Sequence, residues 1–352
     1  MKYAIMPILA GACFGILAPI LVYFGNPANM GVCAACFTRD IAGALGLHNA
    51  NIVKYIRPEI IGLVLGAFLS AFLAKEYRPR MGSSPIIRFF LGVFAMIGAL
   101  VFLGCPWRLF LRLSAGDLSA IAGLFGFLVG IWVAVAFLKK GFSLGRNYPS
   151  SNINGYIFIF FALILLVFLV LKVNTDFALI EFSTKGPGSL HAPILLSLAA
   201  GIILGFLFQK SRFCSVGAIR DVIILKDTHL LQGLIALVVF AVVTNLIFGF
   251  TKLGFTEQPI AHNDFVWNFL GMFLSGLAFT FAGGCPGRQL VLAGEGDSDA
   301  GVFILGLIFG AAISHNFSLA SSGAGIGANA PLAVALGIVF CIVLGFFARV
   351  KR

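Results

Sequence analysis

The sequence predicts an all-α polytopic membrane protein with about ten transmembrane helices and four re-entrant half-helices. Two inverted-topology repeats are expected to enclose a central path. Three observations lead there. Of the 352 residues, 60% are hydrophobic and 11% charged, against about 25% charged in soluble domains. Apolar runs of roughly 20 residues, the length that crosses a ~30 Å hydrocarbon core as a helix, recur along the chain, and the alternating pattern of a membrane β-barrel is absent. Finally, Gly104-Cys105-Pro106-Trp107-Arg108 returns as Gly284-Cys285-Pro286-Gly287-Arg288, with the two cysteines 180 positions apart.

The expected spans are 5–24, 59–74, 87–103, 119–138, 156–172, 192–209, 231–250, 266–283, 302–317 and 332–348. The first lacks a cleavage pattern and reads as a retained helix rather than a signal peptide. Four further segments, Met30–Leu47, Cys105–Leu113, Phe213–Leu225 and Cys285–Leu292, are apolar, too short to cross and broken by Gly or Pro. Backbone of that kind at membrane depth is tolerated only under cover of protein or around a cavity. These four are the expected half-helices. No stretch outside the membrane is long enough for a second domain, so residues 1–352 form one membrane unit.

The repeat extends beyond the doubled motif. Each copy precedes a Gly-Asp pair, Gly116-Asp117 and Gly296-Asp297. Phe90–Phe94 matches Phe269–Phe273, and Ala10-Gly11 with Gly15 matches Ala200-Gly201 with Gly205. Cys33–Asp40 matches Cys214–Asp221 at the cysteine and the final Arg-Asp. A first repeat over 5–138 and a second over 192–317 follow, with span 156–172 linking them and span 332–348 closing the chain. Four spans plus one linker is odd, so the second repeat enters the membrane from the opposite side. Discontinuous helices in such repeats meet near the midplane.

Ten spans place both termini on one side. Loops and re-entrant segments of that side carry 16 Lys and Arg against 8 on the other, so the termini are expected in the cytoplasm. The net charge of +11 is read as topology and contact with anionic headgroups rather than a nucleic-acid surface.

Seven cysteines, mostly in or beside apolar runs, argue for free thiols rather than a disulfide framework. Cys13 and Cys341 lie inside ordinary spans and read as small buried hydrophobes. Cys33, Cys105, Cys214 and Cys285 each head a broken helix with an arginine three to six residues on. These four, with Cys36, are the expected substrate-path thiols. Arg39, Arg108, Arg220 and Arg288 lie in the same segments, where an ionisable group is a functional candidate by default. Two roles stay open for them, structural pairing and anion attraction. Asp40 and Asp221 adjoin Arg39 and Arg220, but successive residues do not face each other on a helix, so pairing with another segment is expected. The five histidines are scattered, and no metal site, cofactor or catalytic group is expected. Ser321–Gly327 is glycine-rich without a phosphate-loop ending and reads as a plain loop.

The paired Gly-Cys-Pro segments, the Cys33–Asp40 and Cys214–Asp221 segments and the inverted layout resemble the YeeE/YedE sulphur-transport family of prokaryotic inner-membrane proteins. The stretch from Gly25-Asn26-Pro27 through Cys33-Ala34-Ala35-Cys36-Phe37 is similar to the YedE-type branch associated with selenium. The resemblance implies uptake of a small sulphur- or selenium-containing anion, thiosulfate in the better understood branch, across the inner membrane. It implies passage between cysteine thiols at Cys33, Cys105 and Cys285, with Cys214 as a fourth, and a small soluble sulphur carrier as cytoplasmic partner. A thiol donates and accepts hydrogen bonds weakly, so several in series could pass a soft atom along without trapping it. The site thiols are expected to rest mostly protonated. A membrane thiol-disulfide oxidoreductase using Cys33 and Cys36 is the alternative.

Overall fold

The fold follows from where each apolar run is forced to stop. The structure, a computed structural model, describes residues 2–175 and 177–348. The first half comprises α1 (Lys2–Tyr23), α2 (Ala34–Ala44), α3 (Pro58–Leu73), α4 (Pro85–Phe102), α5 (Pro106–Ser114) and α6 (Ala120–Lys139). After α7 (Asn152–Thr175) come α8 (Ile194–Ser211), α9 (Ser215–Leu225), α10 (His229–Phe248), α11 (Phe265–Ala282), α12 (Pro286–Gly294) and α13 (Ser298–Asn316), with α14 (Ala330–Phe347) last. One antiparallel strand pair, β1 (Arg80–Met81) and β2 (Tyr148–Pro149), ties two loops together. All ten expected spans and all four half-helices have a counterpart. Arg349, Lys351 and Arg352, counted in the charge argument, lie outside the described residues.

Nine helical stretches among the described residues are long and apolar enough to cross a membrane, three of them joined to the half-helix that follows. The tenth span, α3, has 16 residues, about 24 Å at 1.5 Å per residue. Loop hydrogen bonds sort the connections into two faces. On the face of the N-terminus, Arg78 N donates to Glu295 O and Ser150 N to Pro79 O; on the opposite face, Lys252 N donates to Ala115 O and Gly188 N to Ile52 O.

The doubled motif is a stop, a turn and a restart. α4 ends with Leu103 in the left-handed region (φ 64°), and α11 with Gly283 (φ 95°). In both, the next glycine N–H reaches back five residues, Gly104 N to Ala99 O at 2.7 Å and Gly284 N to Phe279 O at 2.9 Å, the 6→1 bond that closes a helix end. Cysteine then takes the N-cap in extended backbone and proline the first helical position, where its missing N–H costs nothing. The Gly-Asp pairs repeat the stop: Gly116 and Gly296 are left-handed, at φ 91° and 94°.

Helices α1 with α10, α3 with α8, α4 with α13 and α6 with α11 form the main packed pairs. Exchanging each element for its repeat counterpart turns the first pair into the second and the third into the fourth. Glycines four apart let the backbones touch. A Cβ on Gly11 would lie 1.8 Å from Gly233 O, one on Gly66 2.1 Å from Ile202 O, and one on Gly205 2.2 Å from Leu63 O. Between lipid-soluble helices there is little hydrophobic driving force, and such close approach supplies the attraction.

Candidate functional site

Each of the four matched cysteines occupies the N-cap position of a half-helix, Cys33 and Cys214 capping it through sulphur, and each half builds its own thiol pair. Cys33 Sγ lies 3.6 Å from Cys105 Sγ, bringing the N-termini of α2 and α5 together. Cys33 Sγ also accepts from Cys36 N at 3.4 Å. In the second half, Cys214 Sγ accepts from Gly217 N at 3.3 Å and from Cys285 N at 3.4 Å, joining α9 and α12. A thiol stands where Ser or Asp usually caps a helix. The four half-helix N-termini, each the positive end of a dipole, therefore meet in two groups around sulphur. Cys33, Cys36, Cys105 and Cys285 are fully buried and Cys214 nearly so.

The first pair has a third thiol and a guanidinium. Cys36 Sγ donates to Leu103 O at 3.9 Å, and Arg108 Nη1 reaches Cys36 Sγ at 3.8 Å. Arg108 also donates to Leu103 O, and through Nη2 to Ile260 O at 3.0 Å. Arg108 is fully buried, and its Nε has no hydrogen-bond partner. Among the described residues no carboxylate pairs with it. A buried charge without a counter-charge costs several kcal/mol, so this guanidinium is held by carbonyl dipoles at the edge of three thiols.

The other expected arginines are paired, and two of the pairings correct the sequence reading. Arg39 Nη2 lies 2.6 Å from Asp40, and Arg220 Nε 2.8 Å from Asp221. These are the adjacent pairs that helical geometry disfavours. The long guanidinium stem bends around the helix and closes the distance that the Cβ positions leave open. Asp40 does also pair with another segment, accepting from Arg57 Nε at 2.8 Å. Arg57 in turn donates to Leu190 O and Pro187 O and covers the ring of Phe37, so Asp40 and Arg57 tie α2 to the loop before α8. Arg288 holds Glu295 at 3.1 Å.

The sequence reading missed Trp107. It occupies the place in the first motif that Gly287 occupies in the second, and its ring lies on that glycine: a Cβ there would sit 1.9 Å from Cζ2. Phe14 and Phe208 pack against Trp107 with ring centroids at 5.0 and 5.2 Å, and Phe213 stacks on Phe208 at 4.8 Å. All four rings are buried, and the indole Nε1 has no partner. The signal was present as the one large mismatch between two otherwise similar motifs.

Two cavities open at repeat-related places. One of about 220 Å³, on the face opposite the N-terminus, is lined by Ala18, Val22, Leu111, Asn245 and Gln258 among others, between α1, α10 and α5. The other, about 300 Å³ on the N-terminal face, is lined by Glu76, Arg78, Arg80, Arg212, Arg288 and Glu295, at the ends of α3, α8 and α12. Exchanging the repeats maps one set of helices onto the other.

Residues 210–350 match the family described as sulphur transport. That stretch contains Cys214 and Cys285 but not Cys33, Cys36 or Cys105. The chain is 31% identical over 103 residues to the thiosulfate transporter TsuA of Escherichia coli, covering 29% of each protein. To the thiosulfate transporter TsuA of Spirochaeta thermophila it is 30% identical over 103 residues, 29% of this chain and 31% of that one. The matches thus span about three tenths of the relatives' length.

Proposed function

We propose that the whole chain conducts a small sulphur-containing anion, thiosulfate or a selenium analogue, across the inner membrane, as the match of residues 210–350 to the family described as sulphur transport supports. The observation that carries this reading is the pair of thiol groups, one per repeat, each at converging half-helix N-termini. The first lies beside the uncompensated charge of Arg108. Such a place attracts an anion through charge and dipole, while the thiols offer weak hydrogen bonds to a soft terminal atom.

The path runs from the cavity opposite the N-terminus to Cys33, Cys36, Cys105 and Arg108. It then passes Trp107 to Cys285 and Cys214, and leaves by the arginine-lined cavity. Trp107, buried among Phe14, Phe208 and Gly287, blocks the middle and must move aside for each passage. In this reading the two repeats are inverted, the termini are cytoplasmic, and a soluble sulphur carrier receives the cargo on that side. The oxidoreductase alternative needs a partner thiol or quinone to reach Cys33 and Cys36, both without exposed surface.

Radiolabelled thiosulfate uptake into liposomes tests the reading. Wild-type protein should move the label without net thiol oxidation, and folded Cys105→Ala and Cys285→Ala variants should lose most of the flux. Wild-type rates in both variants would falsify the thiol path. Competition by selenium compounds against thiosulfate decides which chalcogen is carried.

A further inference from the structure

The arginine-lined cavity on the N-terminal face is a site in its own right. Its walls carry four guanidiniums, Arg78, Arg80, Arg212 and Arg288, and two carboxylates, Glu76 and Glu295. Glu295 organises them. It accepts from Arg212 Nη1 at 2.8 Å and Arg288 Nη1 at 3.1 Å, and lies 3.6 Å from Arg80. Arg80 is also held from the edge by Asp297 at 2.7 Å, and Arg212 by Glu76 at 2.9 Å. Even with Asp297 counted, the wall keeps a positive excess. Arg78 anchors through its backbone N–H on Glu295 O, while its side chain makes no hydrogen bond or ion pair among the described residues. A free guanidinium thus lines a cavity whose other guanidiniums are pinned in place.

We propose that this cavity binds a free divalent oxyanion, sulfate or thiosulfate, as a receiving site beyond the thiols. The proposal rests on the transport reading only for its link to flux. Four planar forks around one small space suit an ion with several acceptor oxygens, because each guanidinium offers parallel N–H donors. Arg288 links the cavity to the second thiol group: a Cβ on Gly284 would lie 3.1 Å from the Arg288 stem and 3.6 Å from Cys214 Sγ. Its lining is entirely charged, without the apolar wall that an acyl chain needs. A free anion therefore fits better than a lipid headgroup.

Equilibrium dialysis of the purified full chain with radiolabelled sulfate and thiosulfate, in phosphatidylcholine nanodiscs, tests this directly. Both anions should bind with similar affinity and weaken as salt rises. The Arg78→Gln/Arg212→Gln double variant, shown folded by its thermal transition, should lose roughly tenfold or more in affinity. Unchanged binding in the arginine variant, or binding of thiosulfate but not sulfate, overturns the site. So does phosphatidylglycerol that co-purifies with wild type and not with the arginine variant while neither anion binds. Arginine-dependent sulfate binding in a protein that moves no thiosulfate would support the site and sink the transport reading, so the two fail separately.

Discussion

Arg108 and Arg57 are both buried guanidiniums, and they should answer substitution in opposite ways. Arg57 shares Asp40 with Arg39, so Arg57→Gln removes one of the buried carboxylate's two guanidinium partners and should cost about 1.5–3 kcal/mol. Arg108 has no carboxylate among the described residues. Arg108→Gln should therefore leave thermal stability in detergent unchanged or raised while abolishing uptake. A large drop in melting temperature for Arg108→Gln would make it a structural residue. Trp107 gives a second contrast. Trp107→Phe keeps the bulk of the block and removes the unpartnered N–H, so flux should fall with the barrier intact. Trp107→Ala opens the block, at a stability cost of about 3–5 kcal/mol, and liposomes carrying it should leak sulfate. If Trp107→Ala liposomes remain as tight to sulfate as wild type, the ring is not the barrier. At this scale the sequence was only half legible. It pointed to the four N-cap cysteines, because cysteine recurs at matched helix starts in the two halves, with proline following Cys105 and Cys285. It did not show which arginine lacked a carboxylate, because Asp40 meets Arg57 across 17 residues of chain and a loop.

The helix pairs depend on glycines that admit a neighbouring backbone. Gly66→Ala or Gly205→Ala would put a methyl about 2 Å from a carbonyl oxygen of the facing helix. Either should force α3 and α8 apart, at about 1–3 kcal/mol, and lower the detergent melting temperature. Gly323→Ala is the control, with only Ala261 O at 3.8 Å, and should melt like wild type. The ends of α3 and α8 are also joined by a polar chain: Ser70 donates to Gln209 at 2.6 Å, and Gln209 to Glu76 at 2.7 Å. The hydrogen bond from Gln209, helped by Arg212, holds the Glu76 carboxyl below its ordinary value of 4.5. A lowered folded pKa stabilises above the unfolded value, and the benefit is lost as pH falls through the folded one. Wild type should thus out-melt Glu76→Gln at pH 7, by a few tenths of a kcal/mol for so exposed a pair. The gap should close as the pH falls through the lowered value of the folded carboxyl; a gap unchanged at low pH removes Glu76 from this role.

The whole molecule is read as two repeats of opposite orientation with a mouth on each face. A membrane-impermeant maleimide applied to spheroplasts should label Glu257→Cys, on the exposed loop before α11, and not Lys140→Cys, after α6. Both positions are exposed, so equal labelling would contradict the two-face assignment. Length and hydropathy alone located the apolar helices, because each crossing must satisfy its backbone within one helix of about 20 apolar residues; among the described residues nine stretches meet that length and α3, at 16 residues, falls short of it. The half-helices were equally legible, since glycine and proline stop and restart a helix through local backbone geometry. Tertiary structure alone decided which charges remain unpaired, that one tryptophan lies on the glycine of the other repeat, and that three arginines from different segments converge on one glutamate. Those facts depend on distances between segments far apart in the chain, and a local pattern carries no information about them.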